Sequence, residues 1–218
     1  MALNPREQII QDIRRALIHP SDPPAKVRSA ALPQEDPFER GDEDPALRFA
    51  RRLLALNGQF VYAENREELA KYLQQAGAAV APHRRFCLEP ALQDLLGACR
   101  FECRTSTSEW DSMELGISSC EALVAWSGSV VVSSAQNFGR TMTVYPPVHW
   151  VIARSSQLVE TLGDALLLIQ DRYCTTGLPS MISTITGPSR TADIEKTLVL
   201  GAHGPREFWV FLLEDSAE

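Results

Sequence analysis

The sequence predicts an α/β protein, a three-layer sandwich in which a mostly parallel sheet lies between helices. Strand-like and helix-like patterns alternate from residue 45 to residue 104, as they do when helices connect parallel strands. Further strand-like apolar runs lie at 122–133, 148–153 and 206–213. The chain has 218 residues, of which 44% are hydrophobic, so it can form a core without disulfides or a structural metal.

Two segments precede this main domain, which we place at residues 45–218. Residues 1–18 are predicted to contain an amphipathic helix, because Ile9, Ile13 and Leu17 recur at helical spacing. Residues 19–44 are predicted to form a proline-rich acidic arm without a core of its own. Six prolines lie in the stretch 20–45, together with seven acidic and three basic side chains.

The first half of the main domain is predicted to alternate three helices with two strands. Asn65 is a candidate N-cap, and Asn57-Gly58 and Gly77 mark helix ends. From Cys99 to Arg104, apolar and charged side chains alternate, which predicts a strand with its thiols on the buried face. Helices are predicted at 45–56, 66–76 and 90–97, and strands at 59–62 and 99–104.

The second half is predicted to begin with a hairpin. Residues 122–126 and 130–133 are rich in β-formers and are joined by Ser127-Gly128-Ser129, a turn sequence. A helix is predicted at 157–170, with one apolar face, and strands are predicted at 148–153, 181–186 and 206–213. That face comprises Leu158, Leu162, Ala165, Leu166 and Ile169.

Charge and composition argue against several classes of function. The net charge of −7 does not favour binding to nucleic acid or to an anionic membrane surface. No apolar run approaches the ~18 residues of a membrane span, and the first residues lack the apolar core of a signal peptide. We therefore expect a cytoplasmic protein.

The five cysteines include no C-x-x-C pair. Iron–sulfur clusters and structural zinc sites usually show such pairs, so we expect buried structural thiols and no metal. Dinucleotide and P-loop fingerprints are also absent from the sequence. We therefore expect no cofactor, neither flavin nor iron.

The most informative stretch is residues 185–206, ITGPSRTADIEKTLVLGAHGPR. Gly187 permits a tight turn, and Ser189 or Thr191 can cap the start of a short helix. Exposed amides at the start of that helix, joined by Arg190, would form a cradle for an anion. A capped strand-to-helix turn without a ligand is the alternative interpretation.

Residues 186–205 resemble the closing signature of the lactate-utilisation protein C family, whose members carry a LUD domain. Residues 116–132 (GISSCEALVAWSGSVVV) resemble its central strand–turn–strand, and Arg140, Tyr145-Pro-Pro-Val-His149 and Asp164-Ala-Leu resemble the family's next segments. The similarity is good over about 110–213 and weaker over 45–105. It implies a fold related to the ribose-phosphate isomerase, glucosamine-phosphate deaminase and CoA-transferase group.

Two positions depart from the family pattern. Family members commonly have an acidic residue followed by Thr-Gly-Thr, whereas this chain has Trp126 followed by Ser-Gly-Ser. An indole is neither a nucleophile nor a proton shuttle, so acyl transfer through a covalent carboxylate is not expected. The second departure is Glu121, at a position where Asp is usual.

We expect one cleft for a small anion beyond the carboxyl ends of the strands. The predicted ligand-binding residues are Ser127, Gly128, Arg140, Gly187, Ser189, Arg190 and His203. The predicted pocket-lining residues are Glu121, Trp126 and His149. A packing role for His149, a loop role for His203 and a surface ion pair for Arg140 stay open alternatives.

The family resemblance implies a role in oxidising L-lactate to pyruvate, together with iron–sulfur partner proteins. Our leading interpretation is a non-redox component of that system, without catalytic activity of its own, which binds a small anionic ligand or the iron–sulfur subunits. One alternative is a stand-alone isomerase- or transferase-type enzyme acting on a phosphorylated or acyl substrate. Another is an assembly protein with a decayed pocket. The sequence leaves a homo-oligomer open.

Overall fold

The computed structural model describes residues 7–8, 43–106, 110–136, 141–191, 199–201 and 203–215. Residues 40–218 form one compact unit and residues 1–39 another. The predicted amphipathic helix and acidic arm lie almost entirely outside the described residues, so both stay predictions.

A five-stranded parallel sheet forms the centre of the larger unit. Its strands, numbered in chain order with those of the second sheet, are β1 (Gln59–Ala63), β2 (Arg85–Cys87), β3 (Leu115–Ser118), β6 (Val148–Arg154) and β11 (Glu207–Leu213). Their spatial order is β1-β11-β6-β3-β2. The register aligns Ile117, Trp150 and Trp209 across three neighbouring strands.

A second, mixed sheet is built around the predicted hairpin. It contains β4 (Ala122–Val124), β5 (Ser129–Ser133), β7 (Leu158–Val159) and β8 (Ile182–Ile185) in the order β7-β4-β5-β8. The antiparallel pairing of β4 with β5 confirms the hairpin with its turn at 125–128. Two short strands, β9 (Arg190–Thr191) and β10 (Val199–Leu200), pair separately.

In the described part of the chain, four α-helices cover the sheets: α1 (Pro45–Ala55), α2 (Arg66–Gly77), α3 (Pro90–Ala98) and α4 (Leu162–Arg172). On one face of the parallel sheet, leucines of α2 and α3 pack against Trp150 and Phe211. On the other face, α1 and the second sheet share a core that includes Leu53, Leu123 and Val151. The prediction of a layered α/β fold with a mostly parallel sheet is confirmed, and α4 covers the outer face of the second sheet.

The predicted strand at 99–104 is wrong. Cys99 is the C-cap of α3, and Arg100 has a positive φ of 54°, which reverses the chain as helix C-termini often do. Only a single bridge joins Arg104 to Phe86. The alternation of apolar and charged residues nevertheless predicted the buried side chains: Cys99 and Phe101 are buried and Cys103 is half-buried.

The helix predicted at 157–170 begins later than expected. Thr161 and Asp164 form a reciprocal capping box that fixes the start at Leu162, and Leu158 lies in β7. Ala165 and Ile169 are buried, whereas Leu162 and Leu166 are 43% and 45% exposed. Because the cap sets the rotation of the helix, only part of the predicted apolar face reaches the core.

Candidate functional site

A cavity of about 350 Å³ lies at the carboxyl ends of the parallel strands, and we call it the carboxyl-edge pocket. Glu89 and Ser119 come shortly after β2 and β3, Arg154 ends β6 and Leu213 ends β11. Arg172, at the end of α4, completes the polar lining. In sheets of parallel strands, this edge is where ligands usually bind.

One wall of the carboxyl-edge pocket carries a fixed carboxylate. The Ser119 backbone N–H donates to Glu89 Oε1 at 2.6 Å, and the Ser119 hydroxyl donates to Glu89 Oε2 at 2.5 Å. The Gln136 side-chain amide donates to the Ser119 hydroxyl at 2.7 Å. Burial raises the pKa of Glu89, and the hydrogen bonds from Ser119 oppose this rise. Glu89 is therefore a preoriented acceptor for a ligand hydroxyl.

Two guanidinium groups face the same pocket. The side chains of Arg154 and Arg172 are 45% and 42% exposed. Arg154 lies 3.5 Å from Asp215, and Arg172 pairs with Glu121. A guanidinium has five N–H donors in a planar fork, more than either of these pairs uses, so both can also bind an anion.

Glu121 is a buried carboxylate that positions Arg172. Its side chain is 1% exposed and accepts hydrogen bonds from the hydroxyls of Ser133 at 2.5 Å and Tyr173 at 2.8 Å. Burial and the bond to Glu121 raise the pKa of Tyr173, so that phenol stays protonated as a donor. Glu121 therefore acts behind the carboxyl-edge pocket, on one of its lining residues.

Two of the predicted ligand-binding residues, Ser189 and His203, lie at the opposite, amino edge of the parallel sheet. A cavity of about 470 Å³, the amino-edge pocket, is lined by Tyr145, Pro147, His203 and Arg206 among others. Pro147 immediately precedes β6 and Arg206 immediately precedes β11, so this pocket lies where the parallel strands begin. The Ser189 amide beside it donates to the Pro205 carbonyl at 2.9 Å, so this amide is not available to an anion.

A third group of predicted residues surrounds the C-terminal end of α1. Gly187 has a φ of 86° and lies against the Leu56 carbonyl, to which the Arg190 guanidinium donates. Gly128 has a φ of 67° and lies against the backbone of Leu53. Arg190 also begins β9, and the short helix expected after Ser189 or Thr191 falls outside the described residues. The Arg190 guanidinium therefore satisfies a carbonyl at the end of α1, and the two glycines allow their turns to approach this helix closely.

Ser127 belongs with this third group through the hairpin turn. Its hydroxyl donates to the Ser129 hydroxyl at 2.8 Å, which in turn lies 2.9 Å from the Thr186 hydroxyl. This chain of hydroxyls ties β5 to the residue before Gly187. Ser127 therefore links the hairpin turn to the turn at Gly187.

The structure thus brings most of the predicted ligand-binding residues to the amino edge, around the end of α1 and beside the amino-edge pocket, and it places Glu121 and His149 elsewhere. Arg140 lies outside the described residues. Residues 186–189 follow β8 of the second sheet and residues 203–206 precede β11, so neither loop lies at the carboxyl ends of the parallel strands. Glu89, Ser119, Arg154 and Arg172 were missed, although Arg154 stands directly after the predicted strand 148–153. A ligand-binding role for the predicted residues stays a prediction.

His149 lies in the core beside Phe208, with their ring centroids 5.4 Å apart. Its Nε2 is 2.8 Å from the Ser118 hydroxyl, and its buried Nδ1 has no hydrogen-bond partner. Burial lowers the pKa of His149 to about 3. The imidazole is therefore neutral at physiological pH and lines neither the carboxyl-edge pocket nor the amino-edge pocket.

Trp126 is 43% exposed, so an acidic side chain at this position would remain in contact with solvent. We expect Trp126→Glu to change the free energy of unfolding by less than about 1 kcal/mol, because exposed substitutions rarely cost more. Urea denaturation measures the change. The matched control is Ala125→Glu at the fully buried neighbour, which should abolish cooperative folding because its charge has no partner. Equal losses in both variants would contradict the exposed placement of the indole.

No group of three or more His, Cys, Asp or Glu side chains among the residues that the structure describes could hold a metal ion. None of the helices described there is both long and apolar enough to cross a membrane.

Several known proteins are similar to this chain in sequence. The LUD domain family model matches residues 97–213. Lactate utilization protein C of Bacillus subtilis is 29% identical over 176 residues, covering 75% of this chain and 72% of that protein. An uncharacterized protein of Neisseria meningitidis serogroup B is 30% identical over 107 residues, covering 49% of this chain and 45% of that one. This chain therefore spans about half the length of some curated relatives.

A solved structure extends the comparison to the fold. A DUF162 family protein from Deinococcus radiodurans superimposes with a TM-score of 0.56 at 17% identity, covering 78% of this chain and 96% of that one. The family model covers more than half of the sequence and contains the hairpin, β6, α4 and β11. The resemblance read from residues 110–213 is confirmed: this chain belongs to the LUD domain family.

Proposed function

We propose that this protein is a non-redox component of a lactate-utilisation system and binds a small organic anion in the carboxyl-edge pocket. The names of the Bacillus relatives support the physiological context. The observation that carries the proposal is the placement of two guanidinium groups and one preoriented carboxylate around a 350 Å³ cavity. Oxidation of L-lactate to pyruvate then belongs to the assembled system, with iron–sulfur subunits as partners.

The pocket chemistry suits a small 2-hydroxy or 2-oxo acid. Arg154 and Arg172 can bind its carboxylate through charge-assisted hydrogen bonds. Glu89 can accept from a ligand hydroxyl, and Ser119 is held beside it. The five cysteines are free thiols, which agrees with a cytoplasmic location where thiols stay reduced.

Titration with L-lactate and with pyruvate, followed by calorimetry, tests the proposal. We expect Arg154→Met to weaken binding about 10- to 150-fold, the equivalent of about 1.5–3 kcal/mol for a hydrogen bond to a charged group. Arg154 is the better target because Arg172 also neutralises the buried Glu121. Removing Arg172 would therefore mix a loss of stability with a loss of binding.

The matched control is Arg206→Met in the amino-edge pocket. It should leave the affinity unchanged if the carboxyl-edge pocket is the site. Loss of binding in Arg206→Met but not in Arg154→Met would move the site to the amino edge, near His203. Absence of binding by either acid to the unaltered protein would contradict the proposal and favour the assembly role.

A further inference from the structure

Two of the five free thiols are neighbours at the edge of the parallel sheet. The Cys87 amide donates to the Arg104 carbonyl at 2.9 Å, and the Arg104 amide donates to the Arg85 carbonyl at 2.7 Å. This single parallel bridge brings Cys103 beside β2. Cys87 belongs to the core cluster below α2 and α3, Cys103 packs against that cluster, and the Cys87 thiol lies 3.9 Å from the Glu89 carbonyl.

The two thiols differ in exposure and in charge environment. Cys87 is fully buried, whereas Cys103 is half-buried and accessible to a small reagent. The neighbouring Cys87 thiol lowers the pKa of Cys103, and the positive charge of Arg85 lowers it further against the effect of burial. An accessible thiol of lowered pKa close to a second thiol is the arrangement found in redox-active cysteine pairs.

We propose that Cys103 and Cys87 form an oxidisable pair that closes into an intramolecular disulfide when it meets a low-molecular-weight disulfide. The Cys103 thiolate attacks one sulfur of the reagent, forms a mixed disulfide and expels one thiolate. Cys87 then gives up its proton and attacks the Cys103 sulfur, expelling the second thiolate. The protein loses two hydrogen atoms, and the reagent is reduced to two thiols.

The backbone on the Cys103 side can supply the movement that closure requires. A disulfide needs the two Cβ atoms about 3.5–4.5 Å apart. Cys87 is fixed by the pairing of β2 with β3, in register with Ile117. Residues 101–103, in contrast, belong to no helix or strand. Closure therefore moves this irregular segment toward a fixed strand.

The test uses the full chain carrying Cys174→Ser, which removes the exposed cysteine. The protein is incubated with oxidised glutathione, the remaining thiols are alkylated, and intact mass and peptide mapping are recorded. We expect two fewer alkylated thiols, no retained glutathione, and a reducible crosslinked peptide pair containing Cys87 and Cys103. The rate of Cys103 alkylation should be half-maximal below pH 9.0, the ordinary pKa of a thiol.

Single substitutions separate the roles of the two thiols. Cys103→Ser should abolish the crosslink, whereas Cys87→Ser should retain glutathione as a stable mixed disulfide on Cys103. Cys99→Ser, a buried thiol of the same cluster, should leave the crosslink intact. A crosslink that involves another cysteine, or a mixed disulfide on Cys103 that persists while Cys87 is present, would overturn the proposal.

Discussion

Lowering the pH from 7 to 4.5 is expected to reduce the free energy of unfolding by about 3 kcal/mol through His149. Its folded pKa is about 3 because of burial, against an ordinary value of 6.5. Between these values the unfolded chain binds a proton that the folded chain does not, so stability falls as the pH falls through this window. At about 1.4 kcal/mol per pH unit, two units below the unfolded pKa give the stated loss.

The double variant His149→Phe with Ser118→Ala isolates this contribution. Replacing both hydrogen-bonding partners by apolar groups leaves no buried polar atom unpaired, so stability at pH 7 should change little. Urea denaturation at pH 7 and pH 4.5 should then show a pH-dependent loss smaller by about 3 kcal/mol than in the unaltered protein. The same pH dependence in both proteins would show that the fold does not lower the pKa of His149.

Helices and the hairpin could be predicted because their signals are local. The Asn65 side chain accepts from the Glu68 amide at 2.9 Å, as its position before the helix suggested. Asn57 has a positive φ of 64° just after α1. Such caps depend on a few neighbouring residues, so a single sequence is enough to find them.

The strands β2 and β3 could not be predicted in the same way. They have three and four residues, and their parallel partners are distant in sequence. Nothing within so short a run distinguishes a buried strand from an apolar turn. The alternation at 99–104 was stronger, but the capping of α3 by Cys99 prevailed over it.

The edge of the sheet that each predicted site residue occupies could not be predicted, for a related reason. Glu89 can be recognised as a pocket residue only when β2 is known to end two residues before it. His203 lies in a glycine-flanked loop that suggests a ligand, yet the direction of β11 places that loop at the amino edge. Which edge a loop occupies depends on strand direction, and strand direction depends on contacts that are distant along the chain.

Gly128 can serve the fold or a ligand, and its replacement by alanine distinguishes these two roles. A Cβ at Gly128 would lie 2.6 Å from the Leu53 backbone nitrogen and 2.8 Å from Arg52 Cβ. Gly128 also has a φ of 67°, which costs a non-glycine residue about 1–2 kcal/mol. Overpacking against α1 adds about 1–3 kcal/mol. We therefore expect Gly128→Ala to lower the free energy of unfolding by about 2–5 kcal/mol.

Gly177 is the matched control, because it shares the positive φ, at 86°, but has no heavy atom within 4 Å of its potential Cβ. Gly177→Ala should therefore cost only the conformational term, about 1–2 kcal/mol by urea denaturation. The difference between the two variants measures the contact between the hairpin turn and α1. If Gly128→Ala cost no more than Gly177→Ala and yet weakened the binding of L-lactate or pyruvate, the turn would be a ligand contact. A larger loss of stability in Gly128→Ala, with affinity retained in the folded variant, assigns Gly128 to the packing of the second sheet on α1.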